Sequence, residues 1–199
     1  MSAHTYTRGT WTTPEAVHPD RDVGGTDYVA AGVMTAPTYL KWALLYEEPD
    51  NRTLWVAKAL PRDWLALSSG GPGGSLGGGA RAGAGAGVVV EKATTRYGRV
   101  SYRLQPTQDP TTKAYTIRAN LTLSATFAVR APAGGVRLRL RAPLPYAGKL
   151  KSVTVGGEAW AAIDAAAETV DFAAAKLTAE LITSGLPDIV ATFELGAGS

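Results

Sequence analysis

The sequence has no cysteine among its 199 residues and only two histidines. Without cysteine there is no disulfide framework, no thiolate nucleophile and no cysteine-ligated metal. The histidines, His4 and His18, stand in polar sequence without HExxH or a comparable metal spacing, so we expect no metal site and no cofactor. No apolar run approaches the roughly 18 residues of a membrane-spanning helix, and "MSAHTYTRGTW" has no apolar signal core. We therefore expect no membrane partner, and a cytoplasmic chain unless its N-terminus is truncated.

Charge is also sparse, because charged residues make up 19% of the chain and the net charge is only +3. A nucleic-acid partner usually needs a concentrated basic patch with aromatic or helical readers. No such density is present, so we expect no nucleic-acid partner. The hydrophobic share of 45% is that of a globular protein. The length predicts one sizeable domain, or one domain with a smaller piece.

Gly and Ala supply nearly every residue between 70 and 87. Such a stretch buries too little apolar surface to offset backbone ordering, which costs about 1–2 kcal/mol per residue. It lacks the Gly-Lys-Ser/Thr ending of a phosphate-binding loop. We predict a disordered surface loop over 68–87. Each doubling of loop length costs only about 0.6 kcal/mol, so this loop could lie inside one folded unit.

After this tract, apolar and polar residues alternate with period two, which predicts strands with one buried face. The short spacing and the lack of a βαβ rhythm favour a mainly β fold, an antiparallel β-sandwich. Gly156-Gly157 predicts a two-residue hairpin turn. The candidate strands are 54–60, 88–93, 100–104, 115–123, 136–142, 150–155, 158–163, 168–172, 177–183 and 188–195.

Three arginines, Arg137, Arg139 and Arg141, occupy alternate positions of one predicted strand and therefore point to the same side. One interpretation is a solvated outer face, on which like charges discourage edge-to-edge pairing. The other is an anion-binding groove, because planar guanidinium donors suit acidic sugars and other anions.

The stretch "PTYLKWALLYEE" predicts a helix over 37–48, with Pro37 in its first turn and Pro49 after its end. Apolar residues cover most of its circumference, and Lys41 is the main polar interruption. A helix of this kind must be buried on several sides. One sandwich covers only one side, so we expect a missing helical body or another subunit to cover residues 37–48.

Four segments resemble the C-terminal region of six-hairpin glycosidase-like proteins. They are "RGTWTTPE" (8–15), "TLWVAKALPRDWL" (53–65), "ATTRYGRVSYRL" (93–104) and "LKSVTVGGEAWAAIDAAAETVDF" (150–172). The resemblance implies an (α/α) toroid of helical hairpins followed by a β-sandwich. It makes residues 1–52, with one or two short helices, the terminal piece of the toroid, and 53–199 the sandwich. The family joins its second and third segments by a short connection, so the glycine tract is an inflated loop within one unit.

The toroid that the resemblance implies would carry the catalytic carboxylates, and nearly all of it would lie upstream of Met1. Within this chain Glu15 is the weak catalytic candidate, since it could line the toroid mouth together with Trp11. Trp11 and Trp160 are candidate carbohydrate-binding residues, because sugars stack on aromatic faces. Trp160 follows the Gly-Gly turn, where it could form an exposed platform.

Three functional hypotheses remain open. In the first, the chain is a non-catalytic sandwich region of a carbohydrate-active, glycosidase-like protein, a C-terminal fragment whose parent hydrolyses glycosides. In the second, it is a stand-alone module that binds glycans or anions through Trp160 or the arginines. In the third, it is a small hydrolase in which Glu15 works with a partner acid. The substrate, the linkage and the oligomeric state do not follow from the sequence.

Overall fold

A computed structural model describes residues 30–67 and 87–195. Trp11, Glu15 and the predicted loop at 68–87, except Gly87, therefore lie outside the described residues. The described residues form two α-helices and eleven strands, and the fold is mainly β as predicted. The helices are α1 (Ala30–Leu44) and α2 (Ala179–Ser184). The strands are β1 (Leu45–Glu47), β2 (Leu54–Val56), β3 (Val88–Thr95), β4 (Gly98–Gln108), β5 (Tyr115–Leu123), β6 (Val136–Arg139), β7 (Leu150–Val155), β8 (Glu158–Ala159), β9 (Ile163–Asp164), β10 (Thr169–Phe172) and β11 (Ile189–Phe193).

The strands form two sheets. The first sheet has the order β1-β2-β6-β10-β9, and the second has the order β3-β4-β5-β11-β7-β8. Every pairing in the second sheet is antiparallel. In the first sheet β2 pairs with β6 in parallel, the one parallel pair among the described strands. These two strands are distant in sequence, so no hairpin turn forces them to run in opposite directions.

The alternation in β5 is confirmed, because Tyr115, Ile117 and Ala119 are almost fully buried while Arg118 is exposed. Buried residues of both sheets belong to one apolar cluster. A single core lined by two sheets is the layered arrangement that an amphipathic sheet needs to hide its apolar face.

The flanks of the glycine tract belong to one compact unit, Leu44–Ser199. Before the tract, β2 pairs with β6, and the carbonyl of Leu65 accepts a hydrogen bond from the hydroxyl of Tyr115. This unit begins at Leu44 and includes β1, which pairs with β2 as a hairpin. Of the other unit, Met1–Ala43, the described part is α1 up to Ala43.

The predicted helix over 37–48 is wrong at both ends. The helix runs from Ala30 to Leu44 with Pro37 inside it, and residues 45–47 form β1. Pairing with β2 fixes this stretch as a strand and buries Leu45 to 2% exposure. Three apolar side chains near the end of α1, those of Tyr39, Leu40 and Trp42, are 54%, 39% and 46% exposed.

The predicted strand at 177–183 is also wrong, because residues 179–184 form α2. Thr178 is the N-cap of this helix, and its hydroxyl accepts a hydrogen bond from the Leu181 N–H at 3.2 Å. Gly185 ends the helix with φ +84°. Elsewhere the Gly156-Gly157 turn is confirmed between β7 and β8, with positive φ at both glycines. The predicted strand 158–163 is instead two short strands, β8 and β9.

Candidate functional site

The solvent-facing side of the first sheet carries a row of four side chains on four neighbouring strands. Tyr46 on β1 pairs directly with Trp55 on β2, and Trp55 pairs with Arg137 on β6. Arg137 in turn pairs with Asp171 on β10. All four are half-buried, whereas their neighbours along each strand are mostly buried on the opposite face. We call these four residues the cross-strand row. It brings two aromatic rings, one cation and one anion onto a single surface.

A bidentate ion pair anchors one end of this row. Arg137 Nε lies 2.5 Å from Asp171 Oδ1, and Arg137 Nη2 lies 2.8 Å from Asp171 Oδ2. The same guanidinium lies 4.8 Å from the centre of the Trp55 ring. Hydrogen bonding to Asp171 raises the pKa of Arg137 against the opposing effect of desolvation, with smaller contributions from the charges of Asp171, Glu48 and Asp164. The charge of Arg137 is therefore matched by acids around it.

The aromatic end of the row contacts a second cation. The Lys58 ammonium lies 3.6 Å from the centre of the Tyr46 ring and 5.1 Å from that of Trp55. Trp55 Nε1 donates a hydrogen bond to Glu48 Oε2 at 3.2 Å. Cation–π contacts hold a ring in place without covering all of its apolar surface. The two rings thus form a fixed and partly accessible apolar surface.

A second group of charges lies farther along the same face. We call Arg62, Arg139 and Arg141 the arginine cluster, and its acid is Glu168, which is fully buried. Arg62 Nη1 donates to Glu168 Oε1 at 2.9 Å, and Arg62 Nη2 lies 2.7 Å from Glu168 Oε2. Glu168 Oε1 also accepts a hydrogen bond from the Gly148 N–H at 2.8 Å. Arg62 thus neutralises the buried carboxylate, and the Gly148 amide adds a hydrogen bond to it.

The other two arginines of the cluster bind backbone carbonyls instead of acids. Arg139 Nε donates to Ala167 O at 3.0 Å and its Nη1 to Lys58 O at 3.2 Å. Arg141 Nη1 donates to Leu60 O at 2.9 Å, while its Nε is buried without a hydrogen-bond partner among the described residues. Desolvation lowers the pKa of Arg141, and the charges of Arg62 and Arg139 lower it further, against an opposing effect of Glu168.

The structure thus brings the three predicted arginines to one side of β6 and its continuation. The interpretation of a freely solvated face needs correction, because each guanidinium is half-buried and bound to an acid or a carbonyl. Trp160 is also half-buried. Its Nε1 donates to Asp171 O at 3.2 Å, and its ring centre lies 5.2 Å from that of Phe172. Carbohydrate binding by Trp160 stays a prediction.

Sequence reasoning missed several residues of this surface, namely Tyr46, Trp55, Lys58, Arg62 and Glu168. Tyr46 was assigned to a helix, which hid its alternation with Leu45 and Glu47 along a strand. No sequence pattern marks Glu168 as part of this surface, because it lies among small residues. Its backbone has φ +57°, which no local pattern predicts. The period-two pattern of "LWV" could have placed Trp55 on the outer face.

The acidic side chains of the described ranges show no metal-binding arrangement. No group of three or more His, Asp or Glu side chains there is arranged to hold a metal ion. Hydrogen bonds from the Thr112 and Thr111 amides lower the pKa of Asp109, which disfavours a role as a general acid. The carboxylate of Glu168 is enclosed by its partners.

Comparisons of the chain with protein-family models, curated proteins and solved structures found no match. Within the described residues, no helix has the length and apolar character needed to cross a membrane.

Proposed function

We propose that the chain is a non-catalytic β-sandwich accessory region of a carbohydrate-active protein, and that it braces a helical body of the six-hairpin glycosidase type. The observation that carries this proposal is the exposed apolar surface at the end of α1. Tyr39 and Trp42 are about half exposed, with ring centres 5.6 Å apart, and Leu40 of the same helix is 39% exposed. Clustered exposed apolar groups of this kind mark interaction surfaces.

The resemblance of four sequence segments to the six-hairpin family supports a toroid helix as the occupant of this surface. In that family the sandwich follows the toroid, so the last helix before the sandwich has other helices beside it. Here α1 directly precedes β1, the first strand of the sandwich unit. The sandwich has a closed core of its own, so it provides a rigid support.

The proposal is tested by mixing the full chain with the toroid domain of a six-hairpin glycosidase that lacks a sandwich. We expect an equimolar complex in size-exclusion chromatography with light scattering, and we expect Tyr39→Glu to abolish it. Val129→Glu is the matched control, because Val129 is an exposed aliphatic residue in the sandwich unit. The absence of a complex with the wild-type chain, or hydrolysis of polysaccharides by the chain alone, would contradict the proposal.

A second candidate function is glycan binding by the sandwich itself, and the cross-strand row favours it. Sugar rings bind to aromatic faces through their C–H groups, while bidentate Arg–Asp pairs supply donors and acceptors for hydroxyl groups. Isothermal titration with neutral oligosaccharides tests this function. We expect Trp55→Ala to abolish binding and Trp64→Ala, at an exposed tryptophan that is not part of the row, to preserve it. Equal effects of the two substitutions would rule out the row as the binding surface.

A further inference from the structure

The arginines along β6 differ in how their charges are balanced. Arg137 has a bidentate carboxylate partner in Asp171. Arg139 and Arg141 have only backbone carbonyls as hydrogen-bond acceptors among the described residues. A carbonyl satisfies a donor but carries no net charge, so neither guanidinium is bound directly to an acid of the described residues.

The acid of the arginine cluster does not correct this imbalance. Glu168 is already bound by Arg62 and by the amide of Gly148. The arginine cluster therefore holds three guanidinium groups around one carboxylate, and all three arginines are half-buried. Like charges that are partly removed from water repel each other more strongly than they would in bulk solvent. A bound anion would remove this repulsion.

Donors for such an anion are present and held in place. Nη2 of Arg139 and Nη2 of Arg141 make no hydrogen bond within residues 30–67 and 87–195, whereas their Nη1 atoms are fixed by carbonyls. The alternation of buried and half-buried residues continues through Ala142, so both arginines point to one side. Residues two apart on an extended segment are separated by about 6.6 Å, a distance that one oxyanion between the two side chains can span.

We propose that Arg139 and Arg141 form a binding site for an oxyanion with two or more acceptor oxygens, a phosphate, sulfate or carboxylate group. Arg62 contributes positive charge from the side of Glu168. Planar guanidinium groups match such oxygens with paired hydrogen bonds, and fixing them in advance reduces the entropy lost on binding. This site does not depend on the proposed accessory role, because it uses neither α1 nor a helical partner.

The test measures thermal unfolding of the full chain in phosphate, glucuronate, glucose 6-sulfate and neutral glucose at constant ionic strength. We expect a saturable rise in Tm with at least one of the charged ligands and none with glucose, because a ligand that binds only the native state stabilises it. Arg139→Gln and Arg141→Gln should weaken the apparent affinity at least tenfold. Arg103→Gln, at an exposed arginine of β4 in the other sheet, should leave it unchanged.

The set of ligands that raise Tm identifies the chemical class of the anion. A response to inorganic phosphate alone assigns a phosphate site, and a response to glucuronate or glucose 6-sulfate assigns an acidic sugar. A rise in Tm that does not saturate and is equal in the wild type and the three arginine variants would overturn the proposal, since it reflects only a general salt effect. No rise with any charged ligand would overturn it as well.

A measurement on the wild-type chain covers the case in which an arginine variant fails to fold. The Nε–Hε resonances of Arg139 and Arg141 in NMR spectra should shift saturably with the bound anion, while that of Arg103 should not. Equal shifts at all three arginines, or none, would contradict the site.

Discussion

The buried carboxylate of Glu168 binds the guanidinium of Arg62, with 2.9 Å between Oε1 and Nη1. These residues lie on opposite sides of the glycine tract in sequence, and their contact ties the 3₁₀ turn at Arg62–Leu65 to the segment that precedes β10. The pair places a full charge inside the sandwich unit, next to the proposed oxyanion site. The contribution of this ion pair to the free energy of unfolding can be measured by replacing Arg62.

Arg62→Met should destabilise the fold by about 3 kcal/mol, because removing one partner leaves an uncompensated buried charge. This value is at the lower end of the usual range, since the Arg62 side chain is 25% exposed. Urea denaturation gives the free energy of unfolding. Lys151→Met breaks a comparable pair with Glu194 at the surface and should cost less than about 1 kcal/mol. Equal losses in the two variants would show that Glu168 is not a buried charge.

Tyr115→Phe should destabilise the chain at pH 8 by about 1–3 kcal/mol, because the carbonyl of Leu65 then loses its donor. Burial raises the pKa of Tyr115 well above its ordinary value of 10.0. The tyrosine therefore contributes its full stabilisation below pH 10 and loses it as the pH rises towards the raised folded-state pKa.

The difference in unfolding free energy between wild type and Tyr115→Phe should therefore shrink above pH 10. The expected rate is about 1.4 kcal/mol per pH unit, since only the unfolded state ionises there. Denaturation curves at pH 8, 10 and 11 check this prediction. Phe127→Leu removes no titrating group, so its stability difference should stay constant. A constant difference for Tyr115→Phe would contradict the role of burial.

Gly135→Ala should destabilise the fold much more than Gly148→Ala. Both glycines have positive φ, +78° and +70°, which costs an alanine about 1 kcal/mol. A Cβ at Gly135 would also lie 2.2 Å from the Phe172 carbonyl oxygen, whereas a Cβ at Gly148 would meet nothing within 4 Å. Thermal unfolding of the two variants separates the steric clash from the backbone conformation. Similar Tm values would refute the close approach at Gly135.

Trp160→Ala should lower stability by about 2 kcal/mol, because the indole packs on Phe172 and binds the Asp171 carbonyl while remaining half-buried. Trp64→Ala, at a side chain that is 43% exposed, should cost less than about 1 kcal/mol. Chemical denaturation of both variants provides the comparison. A negligible effect of Trp160→Ala would restore the interpretation of an exposed sugar platform.

The local sequence pattern was sufficient to predict a strand where the strand's own residues determine which of its faces is buried. The alternation in β5 predicted its bounds and its buried residues, and the glycine pair predicted the turn between β7 and β8. Thr178 and Gly185 were also readable as the cap and the end of α2, but the apolar residues between them were interpreted as a strand.

The sequence by itself determined the two-sheet class of fold and the common side of Arg137, Arg139 and Arg141, because side-chain direction along a strand depends only on its period of two. Only the tertiary structure decided that Leu45–Glu47 is a strand, that β2 runs parallel to β6, and that Asp171 binds Arg137 while no acid of the described residues binds Arg139. These outcomes depend on partners that are distant in sequence. Strand pairing and ion pairing between distant residues are favoured by the apolar area that they bury and by the opposite charges that they bring together. A local sequence pattern contains neither quantity.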